Sequence, residues 1–414
     1  MGIQIISAAW ILLLLVSSCS PRADETEHSF RIYKENGVTI AETTGGPKYA
    51  GELFQYEKVV ELYQDQDRPE SLLNRPGSFF LDEDGKFYIE DNRNHRIAVF
   101  NPTGRYESSI GRSGSGPGEF SRGWNLLDLS NGVLTTYDYM LRRTTLFRTD
   151  GTLLEIISNP TYVYGGSIYY NGVDSLFIIL EDPYEIGESI AKVGAGFLTV
   201  TADQDTLGMA RTPLIPNQYL MVIPWADPLN QRMWMPMPYA PQPNAQYVAD
   251  RGVLLSTGAE PTIWWYRLDG TVTGKVSLDL PVQTISQQEK DDYLKRIDNR
   301  IEQSEGMAKE SAKLQRRSIK FPDTKAYWTD ITVDDGGYIW LQIPESEEEK
   351  ERLGSSFPYY VLNPEGEYLG TTRVPALGQI RRGHLLTIVT DTETDAQIPT
   401  VYRILPAFEG LRYP

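Results

Sequence analysis

Displaced by 47 residues, one stretch of this chain falls on its own copy without a gap: Gly85 meets Gly132, Asp91 meets Asp138, Arg96 meets Arg143, Phe100 meets Phe147, Gly104 meets Gly151 and Ile110 meets Ile157. A period of this length marks a supersecondary unit that buries its faces only by stacking on further copies. In the first copy, residues 79–120, Asp84-Gly85 and Asn101-Pro102-Thr103-Gly104 are turn signals. Between them, residues 86–90 and 96–100 are rich in aromatic and β-branched side chains and too short for helices. The unit reads as four short antiparallel strands. In the second copy the first turn becomes Asn131-Gly132 and the second Arg148-Thr149-Asp150-Gly151.

Weaker copies follow. Residues 171–207 carry Gly172, an apolar strand at 176–180, and a hairpin at 197–207 turning at Asp203-Gln204-Asp205. Arg251-Gly252 leads to Asp269-Gly270, and Asp335-Gly336-Gly337 leads to Glu365-Gly366 with an insertion at 345–354. The last, Arg382-Gly383, leads to residues 399–405 near the end of the chain and lacks an outer strand. Residues 37–42, GVTIAE, precede the first copy and read as a spare strand. Surplus and deficit match a closed ring in which an N-terminal strand completes the last sheet, so the expected fold is an all-β, six-bladed β-propeller. An open β-solenoid has a shorter repeat and no complementary half-unit. Abundant Gly (35), Pro (26) and Tyr (25) suit many short strands with frequent turns.

Residues 88–104, YIEDNRNHRIAVFNPTG, followed by SIGRSGSGPGEF at 109–120, resemble an NHL repeat, and residues 137–151 resemble a degraded copy. Over roughly residues 50–405 the chain is similar to bacterial six-bladed propeller lipoproteins of that NHL-like group. The resemblance implies a helical excursion after the fourth blade and an FPDT-type segment opening the fifth, here Phe321-Pro322-Asp323-Thr324. It implies a fold and no particular activity.

The N-terminus reads as an address. Residues 3–16 are almost wholly apolar, long enough for a signal-peptide core and short for a membrane span, although no Lys or Arg precedes them. Val16-Ser17-Ser18-Cys19 then sets small residues before the only cysteine, which resembles a lipobox and makes Cys19 the expected lipid attachment site. The expected organisation is a signal peptide at 1–18, a polar tether at 19–36 and the propeller at 37–414, reaching the membrane through the anchor alone. With no cysteine after Cys19, the exported part has no intramolecular disulfide and no thiol nucleophile. A net charge of −17 argues against nucleic acid, because no basic surplus meets the phosphates.

Two segments break the blade pattern. Residues 213–246 hold eight prolines, which exclude regular helix and central strands. Trp225, Met233, Trp234, Met235 and Tyr239 there form either a candidate binding rim or a plug against a neighbouring blade. Residues 286–320 open with a capping box, Ser286 with Glu289. Leu294, Ile297 and Ile301 follow at helical spacing, and after Gly306 a second helical piece carries Lys309, Lys313, Arg316 and Arg317. A structural lid over one face is expected, with a partner-docking helix as the alternative.

Catalytic signatures are sparse. The histidines are His28, His95 and His384, so a three-His zinc site would need the tether. No G-x-S-x-G elbow is present. Residues 111–118 are Gly-rich, but Pro117-Gly118 and an aromatic strand approach follow instead of a helix, so they read as an inter-blade connection. Asp91 and Asp138 are expected to fix their turns and pair with Arg96 and Arg143. Calcium is chemically admissible where carboxylates are this common, yet no clustered D-x-D-x-D loop exists. The acidic run 345–351 reads as a solvated loop. The expected function is a lipid-anchored envelope scaffold binding a protein, peptide or glycan. The alternative is a metal-assisted hydrolase or lyase with carboxylates in the central channel, since lactonase and lyase propellers hold a divalent metal there.

Overall fold

A computed structural model of the chain describes residues 27–158, 168–171, 176–181, 184–186, 191–193, 195–201, 205–212, 220–224, 232–353, 356–391 and 395–413. Blade one is Pro76–Leu81, Phe87–Asp91, Arg96–Phe100 and Tyr106–Ile110, in that order from the inside outwards. Blade two repeats it with Trp124–Ser130, Val133–Asp138, Arg143–Arg148 and Leu153–Ser158. Blade three is Ile168–Asn171, Leu176–Glu181, Gly196–Thr201 and Thr206–Arg211, and blade four Asn244–Val248, Gly252–Ser256, Thr262–Tyr266 and Val272–Leu278. Blade five is Asp330–Val333, Ile339–Gln342, Phe357–Leu362 and Tyr368–Val374. Blade six takes Gly378–Arg381, His384–Thr390 and Gln397–Pro406 from the end of the chain. The turn glycines of the repeat have the backbone that only glycine adopts freely: Gly85 has φ 78° and Gly132 has φ 72°.

The ring closes one strand later than the sequence suggested. Blade six is completed by Phe54–Glu61 (β3), which pairs antiparallel with Gln397–Pro406. Residues 38–42 of that stretch lie in Val38–Thr44 (β2), which instead runs parallel to the outer strand of blade four, Thr39 facing Gly274 and Thr43 facing Leu278. Burial explains the choice. Leu53, Phe54 and Leu62 flank or begin the closing strand and are fully or almost fully buried, whereas β2 covers blade four's apolar edge with Ile40 and Ala41. The expected tether is also shorter, because Ser29–Glu35 (β1) pairs along its whole length with β2 and Phe30 packs on the core between blades four and five.

The repeated carboxylates fix turns, but only one keeps the expected arginine. Asp91 accepts from the Asn74 N–H at 2.8 Å, from Asn94 at 2.8 Å and from Arg96 Nε at 2.7 Å. Asp138 accepts from Ser121 N–H and Oγ and from the Met140 and Leu141 N–H groups. Arg143 turns away from it and donates to the carbonyls of Ser115, Gly116 and Glu119, so it organises the Gly-rich connector 111–118. Arg96 also reaches a connector carbonyl, that of Leu72, at 2.9 Å.

Blades one and two are locked by Glu90, 5% exposed, whose carboxylate accepts from the Leu126 N–H at 2.9 Å and from Asn92 at 3.0 Å. Burial pushes this carboxyl above its ordinary range. It fits because Gly77 has no side chain, and a Cβ there would sit 2.8 Å from Glu90 Oε1. Gly77→Ala is therefore expected to cost about 1–3 kcal/mol, read as a lower urea midpoint at unchanged slope.

The helical insertion lies between blades four and five, as expected. Gln287–Gln303 (α1) starts with the full capping box: the Ser286 N–H donates to Glu289 and the Glu289 N–H to Ser286. Ile297 is its buried residue. Gly306–Ser318 (α2) packs back on it, with Arg316 2.8 Å from Asp298. The acidic run is not a plain loop. Residues Glu347–Leu353 form a short helix (α3), Ser346 and Glu349 bond reciprocally ahead of it, and the buried Glu345 pairs with Arg373.

Candidate functional site

In an antiparallel four-strand blade, successive turns alternate between the two ends of the strands. The turns after the first and third strands, such as 82–85 and 101–104, thus share one face of the ring. The connections between blades, which carry α1, α2 and the Pro-rich segment, share the other. The central channel opens on the first face as a cavity of about 640 Å³. Its lining comes from inner strands, with Phe80 of blade one, Asp128 of blade two, Tyr169 of blade three, Gln246 of blade four and Gln379 with Arg381 of blade six, and from the first turns of blades four and five at 249–251 and 334–337.

Most charge in the channel is spent on holding blades together. Arg381 lies over the Phe80 ring, 5.1 Å from its centroid, and reaches past blade one to Asp128 of blade two at 2.9 Å. The Gln246 side chain clasps blade five by accepting from the Val333 N–H at 2.8 Å and donating to the Val333 carbonyl at 3.3 Å. Asp335 accepts from the Arg382 N–H, joining blades five and six. Beneath it, buried Asp334 accepts from the Tyr338 N–H, Trp340 Nε1 and the Tyr413 hydroxyl at 2.8–3.0 Å. Burial raises the Asp334 carboxyl above its ordinary range. Gln379 differs: its Oε1 is buried and accepts no hydrogen bond among the described residues.

The proposed rim divides. Trp225 lies outside the described residues, and Met233 and Trp234 are placed only as part of Arg232–Pro236, which pairs with Leu220–Pro224 in a hairpin outside the blades. Pro224 and Pro236 sit at strand ends, where a missing N–H costs least. Met235 packs with Met237 and Ala240 against Ile319 at the end of α2. Tyr239 meets the Tyr293 ring of α1 edge-on, with Lys325 Nζ 5.6 Å from its centroid. These two side chains are engaged internally, seating the helices on the ring. Cys19 also lies outside the described residues.

The histidines go to separate partners. His28 bonds the Gly46 carbonyl and Glu367, His95 bonds the Ser121 carbonyl from a left-handed turn, and His384 bonds the Arg382 carbonyl. Among the described residues no group of three or more His, Cys, Asp or Glu is arranged to hold a metal ion. Sequence reasoning missed Asp128, Gln379 and Arg381. They sit on inner strands, where the repeat has its weakest signature, and only their convergence in the ring distinguishes them.

Residues 72–164, spanning blades one and two, match the model of a family described as a 6-bladed beta-propeller. The chain is a six-bladed β-propeller. No curated protein matches it. Among solved structures it is similar to a Bacteroides fragilis protein named as exported, at 12% identity and TM-score 0.48, covering 88% of this chain and 99% of that one. It is also similar to a Bacteroides vulgatus protein, at 12% identity and TM-score 0.44, covering 86% and 99%. A virginiamycin B lyase from Staphylococcus aureus gives 10% identity and TM-score 0.35, covering 85% and 99%.

Proposed function

We propose that the protein is an exported, lipid-anchored binding module of the cell envelope that takes a peptide or glycan into the channel mouth. The observation that carries this reading is the buried, unpartnered Gln379 Oε1 in a channel of about 640 Å³. A buried acceptor without a donor costs about 1–3 kcal/mol, which a ligand N–H or O–H would recover once the Gln379 side chain rotates into the channel. The volume falls within the range of ligand pockets. The neighbouring Arg381–Asp128 pair and Asp335 are engaged in holding blades together, which fixes the shape of the mouth. Export and the anchor rest on the apolar run 3–16 and the lipobox-like 16–19.

Gln379→Leu keeps the shape and removes the acceptor. Titration calorimetry against pooled envelope peptides and glycans should show binding to the wild type that the variant weakens roughly tenfold, while folding stability rises by about 1–3 kcal/mol because the unpaired acceptor is gone. Binding indifferent to Gln379→Leu would refute the site. Turnover of a pooled substrate that depends on added calcium or zinc would favour the metal-assisted alternative. Fatty-acid labelling should mark the wild type and spare Cys19→Ala.

A further inference from the structure

The ring's outermost strand is β1, and its exposure follows from its position. It pairs with β2 on one side and, among the described residues, with nothing on the other. Ile32 and Tyr33 remain 52% and 39% exposed. The adjacent outer strand of blade three, Thr206–Arg211, adds Leu207 and Met209 at 52% and 49%. Directly across the ring, the outer strand of blade one presents Glu107, Ser108 and Ser109 instead. The β1 edge thus exposes Ile32 and Tyr33 among the charged Arg31, Lys34 and Glu35, whereas the outer strand of blade one exposes only polar side chains between Tyr106 and Ile110.

The covalent chain ties the β1 edge to the anchor. His28 is pinned to Glu367 and the Gly46 carbonyl, immediately before β1. Nine residue steps separate Cys19 from His28, so the anchor lies within about 30 Å of this edge even when fully extended. Arg31 and Lys34 flank Ile32 and Tyr33; Arg31 pairs with Glu42 of β2 and lies 5.1 Å from the Tyr33 ring centroid, leaving Lys34 as the cation free of an ion pair among the described residues. An aromatic and an aliphatic side chain beside long cationic ones is the composition that partitions to the headgroup layer.

We propose that β1 seats on the lipid surface beside the anchor, holding the propeller edge-on with both ring faces open to ligands. This rests on the lipid-anchor reading. The full lipidated chain carries no cysteine besides the acylated Cys19, so Ile32→Cys and Ser108→Cys can each be labelled singly with a polarity-sensitive fluorophore. In vesicles of phosphatidylethanolamine and phosphatidylglycerol bearing a headgroup nitroxide, the label at 32 should shift to the blue and lose most of its emission. The label at 108 should change little. Equal quenching at both sites, on protein that floats with the vesicles, would overturn the seating while leaving the anchor intact. Energy transfer between differently labelled copies at position 32 in detergent would assign the edge to a second copy and also overturn it. A mass showing unmodified Cys19 would remove the anchor and the seating together.

Discussion

Asp334→Ala is expected to cost about 3–5 kcal/mol of folding stability, since one truncation strands three buried donors at once. The carboxylate gathers the Tyr338 N–H, the indole of the fully buried Trp340 and the hydroxyl of Tyr413. Tyr413 comes from the end of the chain and packs its ring on Phe54 of β3, on Tyr338 and on Trp340 of blade five. Asp334 therefore joins blade five, the closing strand of blade six and the C-terminal tail. Against a typical total of 5–15 kcal/mol, the loss is large. Urea unfolding followed by tryptophan fluorescence would measure it, and a change below about 1 kcal/mol would contradict the network. The acid dependence has a definite sign. Burial raises this carboxyl, as it does Glu90 and Asp330. The folded state therefore binds the proton more tightly than the unfolded state, where the pKa is about 3.9. The stability this group contributes is complete below that unfolded value and is lost as pH rises through the folded one. Asp334→Asn, which cannot ionise, should show a shallower loss over that window than the wild type.

How much of this was legible depended on whether a residue's role is local or convergent. Gly85 acts within its own hairpin, and Asp91 and Gly104 act on theirs and on the connector beside it, so they recur at a fixed spacing that marks the blades. The capping box of α1 is likewise local and was read correctly. The similar signal at Ser346 and Glu349 was masked by the acidic run around it. Arg143 kept its repeat position yet changed partner, because the connector it faces is rich in glycine, whereas residues 62–75 beside Arg96 contain none. The channel residues are convergent. Asp128 and Arg381 are 253 positions apart, and no spacing in a single chain encodes such a pair.

Closure is where sequence and structure part most clearly, and two deletions separate the readings. Relative to a chain beginning at Glu27, removal of residues up to 45 takes away β1 and β2. It should leave a ring that still unfolds cooperatively at a lower midpoint, since blade four loses the cover of Ile40 and Ala41. Removal up to residue 62 also takes Leu53, Phe54 and Leu62, whose burial contributes about 1.5–3 kcal/mol each. It exposes Gln397–Pro406 as a long unpaired edge of the kind that aggregates. That chain should show no cooperative transition and should come out of solution. Had residues 37–42 closed the ring, the shorter deletion would already abolish folding and the longer one would add little. The reason for the actual choice lies in the approach to the strand. Residues 48–53 run along the outer strand of blade five, the Tyr49 N–H donating to the Leu369 carbonyl and the Leu53 N–H to the Thr371 carbonyl. Phe54 is thereby delivered into the seam between blades five and six, beside Trp340, and the strand that follows has only one edge left to join.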